Sequence, residues 1–484
     1  MVDLATSRVG GEVVWCNDQF FADVSNLIAP SVPVWKEGEF TEHGKWMDGW
    51  ETRRRRQEGH DSCIIRLGLP GVIRSVTVDT AFFTGNFPES FSLDACGVPP
   101  DRLDGAEWVE LISPTALRGD SQAVFDVAEH RRVTHLRFSI YPDGGVARLR
   151  VDGDPIPGLN EVCPESGVVD LASARVGGRG TGASDAHYSS PATLVSPTEP
   201  EGMWDGWETA RRRGAGWDWA IVELGLPGLI ESVDVDTRHF KGNAPGWVTI
   251  DVAVGDGDWA EACGRTAVEP HRLNRIELGQ PVPGDRVRLN IHPDGGVARL
   301  RVWGRPHPDT AADTRMRYVN ALFRQDAAIF FETACAAPTW VEAMVAGRPY
   351  AAPESLLAAA EACFDRLDRH GWLAAFAAHP RIGEGRGRQG EQGEALSARE
   401  QGGLAGAGAR VRDELAEVNR RYEDRFGYTY IVRAEGRSPE ELLTIARDRL
   451  ANDAETELKE AAGQQRQITL GRLRKLLCLE VESP

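Results

Sequence analysis

The chain has 484 residues, 41% hydrophobic and 26% charged, and at roughly 150 residues per domain that length predicts about three domains. Its 52 Gly and 28 Pro are too few for a disordered or fibrous chain, and a formal charge of −18 gives none of the basic balance a nucleic-acid binder needs. No stretch reaches the roughly 18 apolar residues of a membrane helix, and Met1 to Trp15 has no basic and apolar secretion signal, so a cytoplasmic protein is expected.

An internal repeat organises the first two thirds. Met47-Asp-Gly-Trp-Glu-Thr-Arg-Arg-Arg-Arg56 returns as Trp204-Asp-Gly-Trp-Glu-Thr-Ala-Arg-Arg-Arg213, and Leu67-Gly-Leu-Pro-Gly71 as Leu224-Gly-Leu-Pro-Gly228, both 157 positions on. Phe83-Thr-Gly-Asn86 matches Phe240-Lys-Gly-Asn243 at the same offset. Pro142-Asp-Gly-Gly-Val-Ala-Arg-Leu-Arg-Val151 matches Pro293 to Val302 at offset 151, so the second repeat has lost six residues in between. Short alternating runs such as Ser75 to Asp79, separated by Gly, Pro and Asp clusters, predict an all-β sandwich or jelly roll for each repeat, over residues 1–152 and 168–304. Asp143-Gly-Gly145 and Asp294-Gly-Gly296 supply tight-turn chemistry.

Each repeat keeps charged residues that a β-sandwich does not need for folding: Asp48, Glu51 and Arg54 to Arg56 in one, Asp205, Glu208 and Arg211 to Arg213 in the other, with Arg148 and Arg299 downstream. Carboxylates beside an arginine run, among Trp46, Trp50, Trp204 and Trp207, suit a small polar anion, because guanidinium pairs with carboxylate through two parallel hydrogen bonds. The competing reading makes the tryptophans core and the glycines turns. These motifs resemble allantoicase, over about Leu4 to Gly304. The resemblance implies hydrolysis of allantoate to ureidoglycolate and urea by two jelly-roll domains in a homo-oligomer. On that reading Arg54, Arg55, Arg211 and Arg212 bind the substrate carboxylate. Asp48, Glu51, Asp205 and Glu208 are the acid/base or urea-holding candidates. Ser184-Asp-Ala-His187 also follows the family's pattern and makes His187 a candidate that repeat one lacks, since Phe20 stands there.

From about Thr314 the composition turns to Ala, Glu, Leu and Arg with near-four spacing, as in Leu442, Leu443, Ala446 and Leu450, so residues 314–484 are expected to be an all-α domain. Pro380 disfavours helix at His379 and presents that histidine at a helix end. Ser397-Ala-Arg-Glu400 has the form of a capping box, and spacing alone does not separate this reading from a catalytic one. Ala-His379-Pro-Arg-Ile-Gly, Ser397-x-x-Glu400-Gln401, Asn419-x-x-Tyr422 and Arg449-x-x-Asn452 resemble the decarboxylase of 2-oxo-4-hydroxy-4-carboxy-5-ureidoimidazoline (OHCU), over about Asn320 to Leu479. The resemblance implies that His379 donates the proton, that Glu400 is its partner, and that the product is (S)-allantoin. Pro380, Ser397, Ala398, Arg399, Gln401 and the backbone of Tyr430, Ile431, Val432, Arg433 and Ala434 would then cradle the substrate.

The combined expectation is a bifunctional enzyme of urate breakdown. The two steps are not consecutive, which suggests recruitment of a ring-opening allantoinase as a partner. Two other readings stand beside it: β-sandwich modules that bind without hydrolysis, and a helical scaffold without activity. The eight cysteines show no CxxC pair, and no metal-ligand spacing appears, so no cofactor is expected, with a divalent metal for the allantoicase part left open.

Overall fold

A computed structural model describes residues 2–99, 102–164, 166–379 and 409–479, and the chain forms two compact units, Met1–Phe323 and Arg324–Pro484.

The first unit holds both repeats, and each is organised by one long strand. Asp61–Asp79 pairs over its first half with Glu12–Cys16 and Val133–Tyr141, and over its second half with Arg148–Pro155 and Gln122–Asp126. One strand thus serves both layers of a sandwich, and the changeover falls in Leu67-Gly-Leu-Pro-Gly71. A Cβ at Gly68 would lie 2.5 Å from the Val9 carbonyl oxygen, so only glycine lets the segment Val9–Gly11 cross here. Around the bend the inward positions Ile65, Leu69, Ile73 and Val76 are fully buried, each worth roughly 1.5–3 kcal/mol of transfer from water. The sheet is antiparallel and runs Val2–Asp3, Arg148–Pro155, Asp61–Asp79, Val133–Tyr141, Ser90–Cys96, Val109–Ala116.

Repeat two copies that order around Asp218–Asp236. There the single strand Leu273–His292 does the work of Gln122–Asp126 and Val133–Tyr141 together, in keeping with the shorter spacing seen in the sequence. The two repeats share one apolar cluster, and Ser196 and Thr198 of the second donate to the Arg8 carbonyl of the first at 2.6 and 3.0 Å. Helix Pro308–Ala321 also belongs to this unit, with Tyr318 and Ala321 against Val72 and Ile156. The change of composition near Thr314 therefore falls inside a helix that packs on the β repeats.

The second unit is helical. Helices Arg324–Ala334, Pro338–Ala346, Pro353–Asp365 and Arg369–Ala377 precede Ala409–Phe426, Pro439–Arg449 and Ala454–Leu476. Ser438 and Glu441 form a reciprocal capping box, and Asp453 caps the last helix by accepting from the Glu455 and Thr456 amides. Leu442, Leu443, Ala446 and Leu450 meet Val411, Leu415, Val418 and Tyr422 in one core, as their spacing requires. Among the described residues no helix is long and apolar enough to cross a membrane.

Candidate functional site

The repeated motifs are first of all parts of one structural lock. Trp50–Glu51 pairs with Gly145–Val146, and Trp207–Glu208 with Gly296–Val297, so the Asp-Gly-Trp-Glu segment is sewn to the Asp-Gly-Gly turn. Trp50 and Trp207 are fully buried, and their indole N–H groups donate to the carbonyls of Asp18 and Asp185 at 2.8 and 2.9 Å. They are core residues, while Trp204 is exposed.

Asp48 and Asp205 are taken up in the same lock. Arg148 is buried, and its Nη2 lies 2.9 Å from both carboxylate oxygens of Asp48, while its Nε donates to the Ser31 carbonyl at 2.9 Å. The Val34 amide donates to Asp48 Oδ2 at 2.8 Å. Arg299 repeats this with Asp205 Oδ2 at 2.6 Å and the Thr198 carbonyl at 3.0 Å. The aspartates neutralise buried guanidinium groups and anchor the preceding loop. Arg55 and Arg212 are likewise held. Their amides donate to Asp143 and Asp294, both at 2.7 Å, and their side chains pair with Asp61 and Asp218. Arg54 and Arg211 are exposed and make no ion pair with any described residue.

What the lock positions is Glu51. It lies in a cleft of about 620 Å³. Phe21 and Asn86 line the cleft beside it, together with Phe82, Thr84 and Asp120. Asn86 Nδ2 donates to Glu51 Oε1 at 2.7 Å. Burial holds the Glu51 carboxyl above the usual carboxylate range, opposed by the Asn86 donor. Phe82 and Asp120 both sit in the left-handed region, at φ 69° and 47°, and are tied by the Phe82 amide donating to Asp120 Oδ1 at 2.8 Å. Such strain at a cleft wall marks a place where the fold has over-determined the backbone.

Trp35, Gly44 and Lys45 also line the cleft and belong to a loop segment without counterpart in repeat two, whereas Met47 stands where repeat two has Trp204. Arg148 fastens Ser31 and Asp48, whereas Arg299 fastens Thr198 and Asp205, so the first loop is ten residues longer. The extra length folds into the hairpin Phe40–Thr41 with Gly44–Lys45. Lys45 Nζ lies 4.0 Å from the Trp35 ring centroid, and Lys36 covers Trp46 in the same way at 4.4 Å.

Repeat two retains the carboxyl and amide pair, with Asn243 Nδ2 donating to Glu208 Oε1 at 2.6 Å. His239 and His271 replace Phe82 and Asp120, and the His239 amide donates to His271 Nδ1 at 2.9 Å. His187 is exposed, with its ring edge-on to Tyr188. The residues that sequence reasoning did not single out are Lys45, Trp35, Asn86, Thr84 and Asp120. The signals available for them were the unequal loop lengths and the duplicated Phe-x-Gly-Asn.

In the helical unit His379 follows the end of helix Arg369–Ala377, its amide donating to the Phe376 carbonyl at 3.0 Å. Removal from water and the charge of Arg472 push its pKa down to about 3, while a hydrogen bond with Gln465 acts the other way. Among the described residues its Nε2 has no hydrogen-bond partner. Tyr430, Ile431 and Val432 are buried, the Arg433 amide donates to Gln464 at 3.0 Å, and Ala434 packs at the edge of the same core. Arg449 Nη1 donates to the Ile431 carbonyl at 2.7 Å and its Nε to Glu457 at 2.9 Å. Tyr422 and Asn452 also donate to the buried Glu457 carboxylate. The motif residues Tyr422, Arg449 and Asn452 thus fix the backbone at Ile431 through Glu457, which the motif reading left out. Pro380, Ser397, Ala398, Arg399, Glu400 and Gln401 lie outside the described residues. Among the described residues no group of three or more His, Cys, Asp or Glu is arranged to hold a metal ion.

The family of allantoicase repeats matches residues 2–156 and 169–307, and the OHCU decarboxylase family matches residues 320–474. A probable allantoicase of Pseudomonas aeruginosa (strain LESB58) is 46% identical over 319 residues, which cover 63% of this chain and 96% of that protein. A probable allantoicase of Pseudomonas paraeruginosa is 47% identical with the same coverage. The crystal structure of allantoicase from Saccharomyces cerevisiae has 34% identity and a TM-score of 0.54, covering 63% of this chain and 92% of that one.

Proposed function

The chain belongs to the allantoicase family and continues into an OHCU decarboxylase domain, a hydrolase joined to a decarboxylase in purine catabolism; from that premise we propose that allantoate is split in the cleft of repeat one. The observation that carries this reading is Glu51, a carboxyl raised by burial, hydrogen-bonded on one oxygen and facing a cleft. Allantoate carries two ureido groups and a carboxylate on one carbon. To release urea, the bond from that carbon to one ureido nitrogen breaks, and the nitrogen must gain a proton as it departs. Glu51 supplies that proton, and its carboxylate then receives one from the water whose oxygen adds to the carbon. A carboxyl with a raised pKa suits both halves of this exchange near neutrality. Asn86 fixes the Glu51 rotamer, and Thr84 and Asp120 offer polar partners to the ureido groups.

For the second reaction we propose His379 with Glu400. Carbon dioxide leaves with the carbon–carbon bond, the electron pair stays on the ring carbon, and a proton must reach one face of it. Burial and the charge of Arg472 keep His379 neutral, and the carboxylate of an incoming substrate offsets that charge and raises the imidazole toward a donor. The proposal needs no cofactor, places the enzyme in the cytoplasm as a homo-oligomer, and includes association with an allantoinase. Urea release from allantoate by the Glu51→Gln variant tests its first half, and pull-down with an allantoinase tests the last.

A further inference from the structure

The cleft needs an anion-binding group, and the arginines expected to provide it are engaged elsewhere or not part of its lining. Arg55 is paired with Asp61, Arg148 with Asp48, and no arginine is among the described residues lining the cleft. Among the described lining residues the one cation is Lys45. It makes no ion pair with any described carboxylate and is held instead over the Trp35 ring, 4.0 Å from its centroid. A cation resting on an aromatic face is held there by attraction to the ring's negative face and keeps its N–H donors for a ligand. Lys45 stands at the end of the hairpin that the ten-residue extension builds, and the chain holds only five lysines, two of them in this extension.

We propose that Lys45, carried on the hairpin peculiar to repeat one and steadied by Trp35, binds the substrate's carboxylate and so restricts the cleft to ureido compounds bearing an adjacent carboxylate. This rests on the assignment of hydrolysis to the Glu51 cleft. It also accounts for the difference between the repeats. Repeat two keeps the Glu208–Asn243 pair but lacks the hairpin, and its Lys241 occupies the position of Thr84 instead.

The test uses the full-length chain, with urea release from allantoate as the readout and two competitive probes, N-carbamoylglycine and its uncharged carboxamide. Lys45→Met is expected to raise KM by about 10- to 100-fold, the value of a charge-assisted hydrogen bond, with kcat nearly unchanged. Lys45→Arg should recover most of that loss, and Trp35→Leu should give a smaller KM rise. The inhibition constant of N-carbamoylglycine should rise in step with KM in Lys45→Met, while that of the carboxamide stays put. Lys241→Met should behave as the parent. An unchanged KM in Lys45→Met, an equal loss of the acid and the amide probe, or a KM rise in Lys241→Met alone overturns the proposal. If Glu51→Gln retains full activity, the cleft assignment itself fails, a result separate from any seen with Lys45.

Discussion

Asn86 donates its amide N–H to Glu51 at 2.7 Å. That bond leaves the second carboxyl oxygen of Glu51 to the cleft and lowers a pKa that burial raises. Removing the donor therefore moves the carboxyl further up. Asn86→Ala is expected to shift the basic limb of the kcat/KM profile for urea release to higher pH, because a proton-donating Glu51 then stays protonated longer. A profile measured on both proteins checks this, and a shift to lower pH contradicts the assigned role.

The Asp48–Arg148 pair is assigned to structure. Asp48→Ala strands a guanidinium that is 1% exposed, and such uncompensated burial costs about 3–5 kcal/mol. A clearly lowered midpoint in thermal or denaturant unfolding of the β unit is expected. Arg54→Ala, an exposed side chain without an ion partner, should leave both that midpoint and the KM for allantoate unchanged.

His379 is predicted to be neutral in the folded protein. Its pKa in the folded state, about 3, lies below the unfolded value of 6.5, so the unfolded chain binds the proton more readily between those values. The stability of the helical unit is therefore full above pH 6.5 and declines as pH falls toward 3. Arg472→Gln removes the charge that opposes protonation and should move the His379 imidazole resonance in an NMR titration toward higher pH. A titration unaltered by that change would remove Arg472 from the account.

Glu457 is predicted to act on the second site only through the backbone. Glu457→Ala leaves Arg449 buried and unpaired and frees its hold on the Ile431 carbonyl. Loss of stability of about 3–5 kcal/mol is expected, measured by denaturant unfolding. The conservative Glu457→Gln, which keeps the shape and one of the two acceptor oxygens, should retain more decarboxylation than Glu457→Ala.

The duplication, the β character of both repeats and the helical end were legible because each rests on local pattern: offset motifs, period-two runs and near-four spacing. The proposed site was only half legible. The Asp-Gly-Trp-Glu motif pointed to Glu51 and Glu208, yet its aspartates are anchors for Arg148 and Arg299, a pairing across about 100 residues that no local signal announces. The arginine run read as an anion site, but Arg55 and Arg212 are consumed by Asp61 and Asp218 on the following long strands. Lys45 and Trp35 were hidden because they lie where the repeats cease to match, and self-comparison draws attention to what is shared. In the helical unit Tyr422, Arg449 and Asn452 stood out as a motif, but the carboxylate that unites them, Glu457, sits outside it.

The most direct measurement is urea release from allantoate by Glu51→Gln and Glu208→Gln in the full-length chain, with folding checked alongside. Loss of positioned proton transfer costs about 10²- to 10⁴-fold in rate, and that fall is predicted for Glu51→Gln, with Glu208→Gln close to the parent. The reverse pattern, or near-parental rates in both, would contradict the assignment of hydrolysis to the cleft of repeat one.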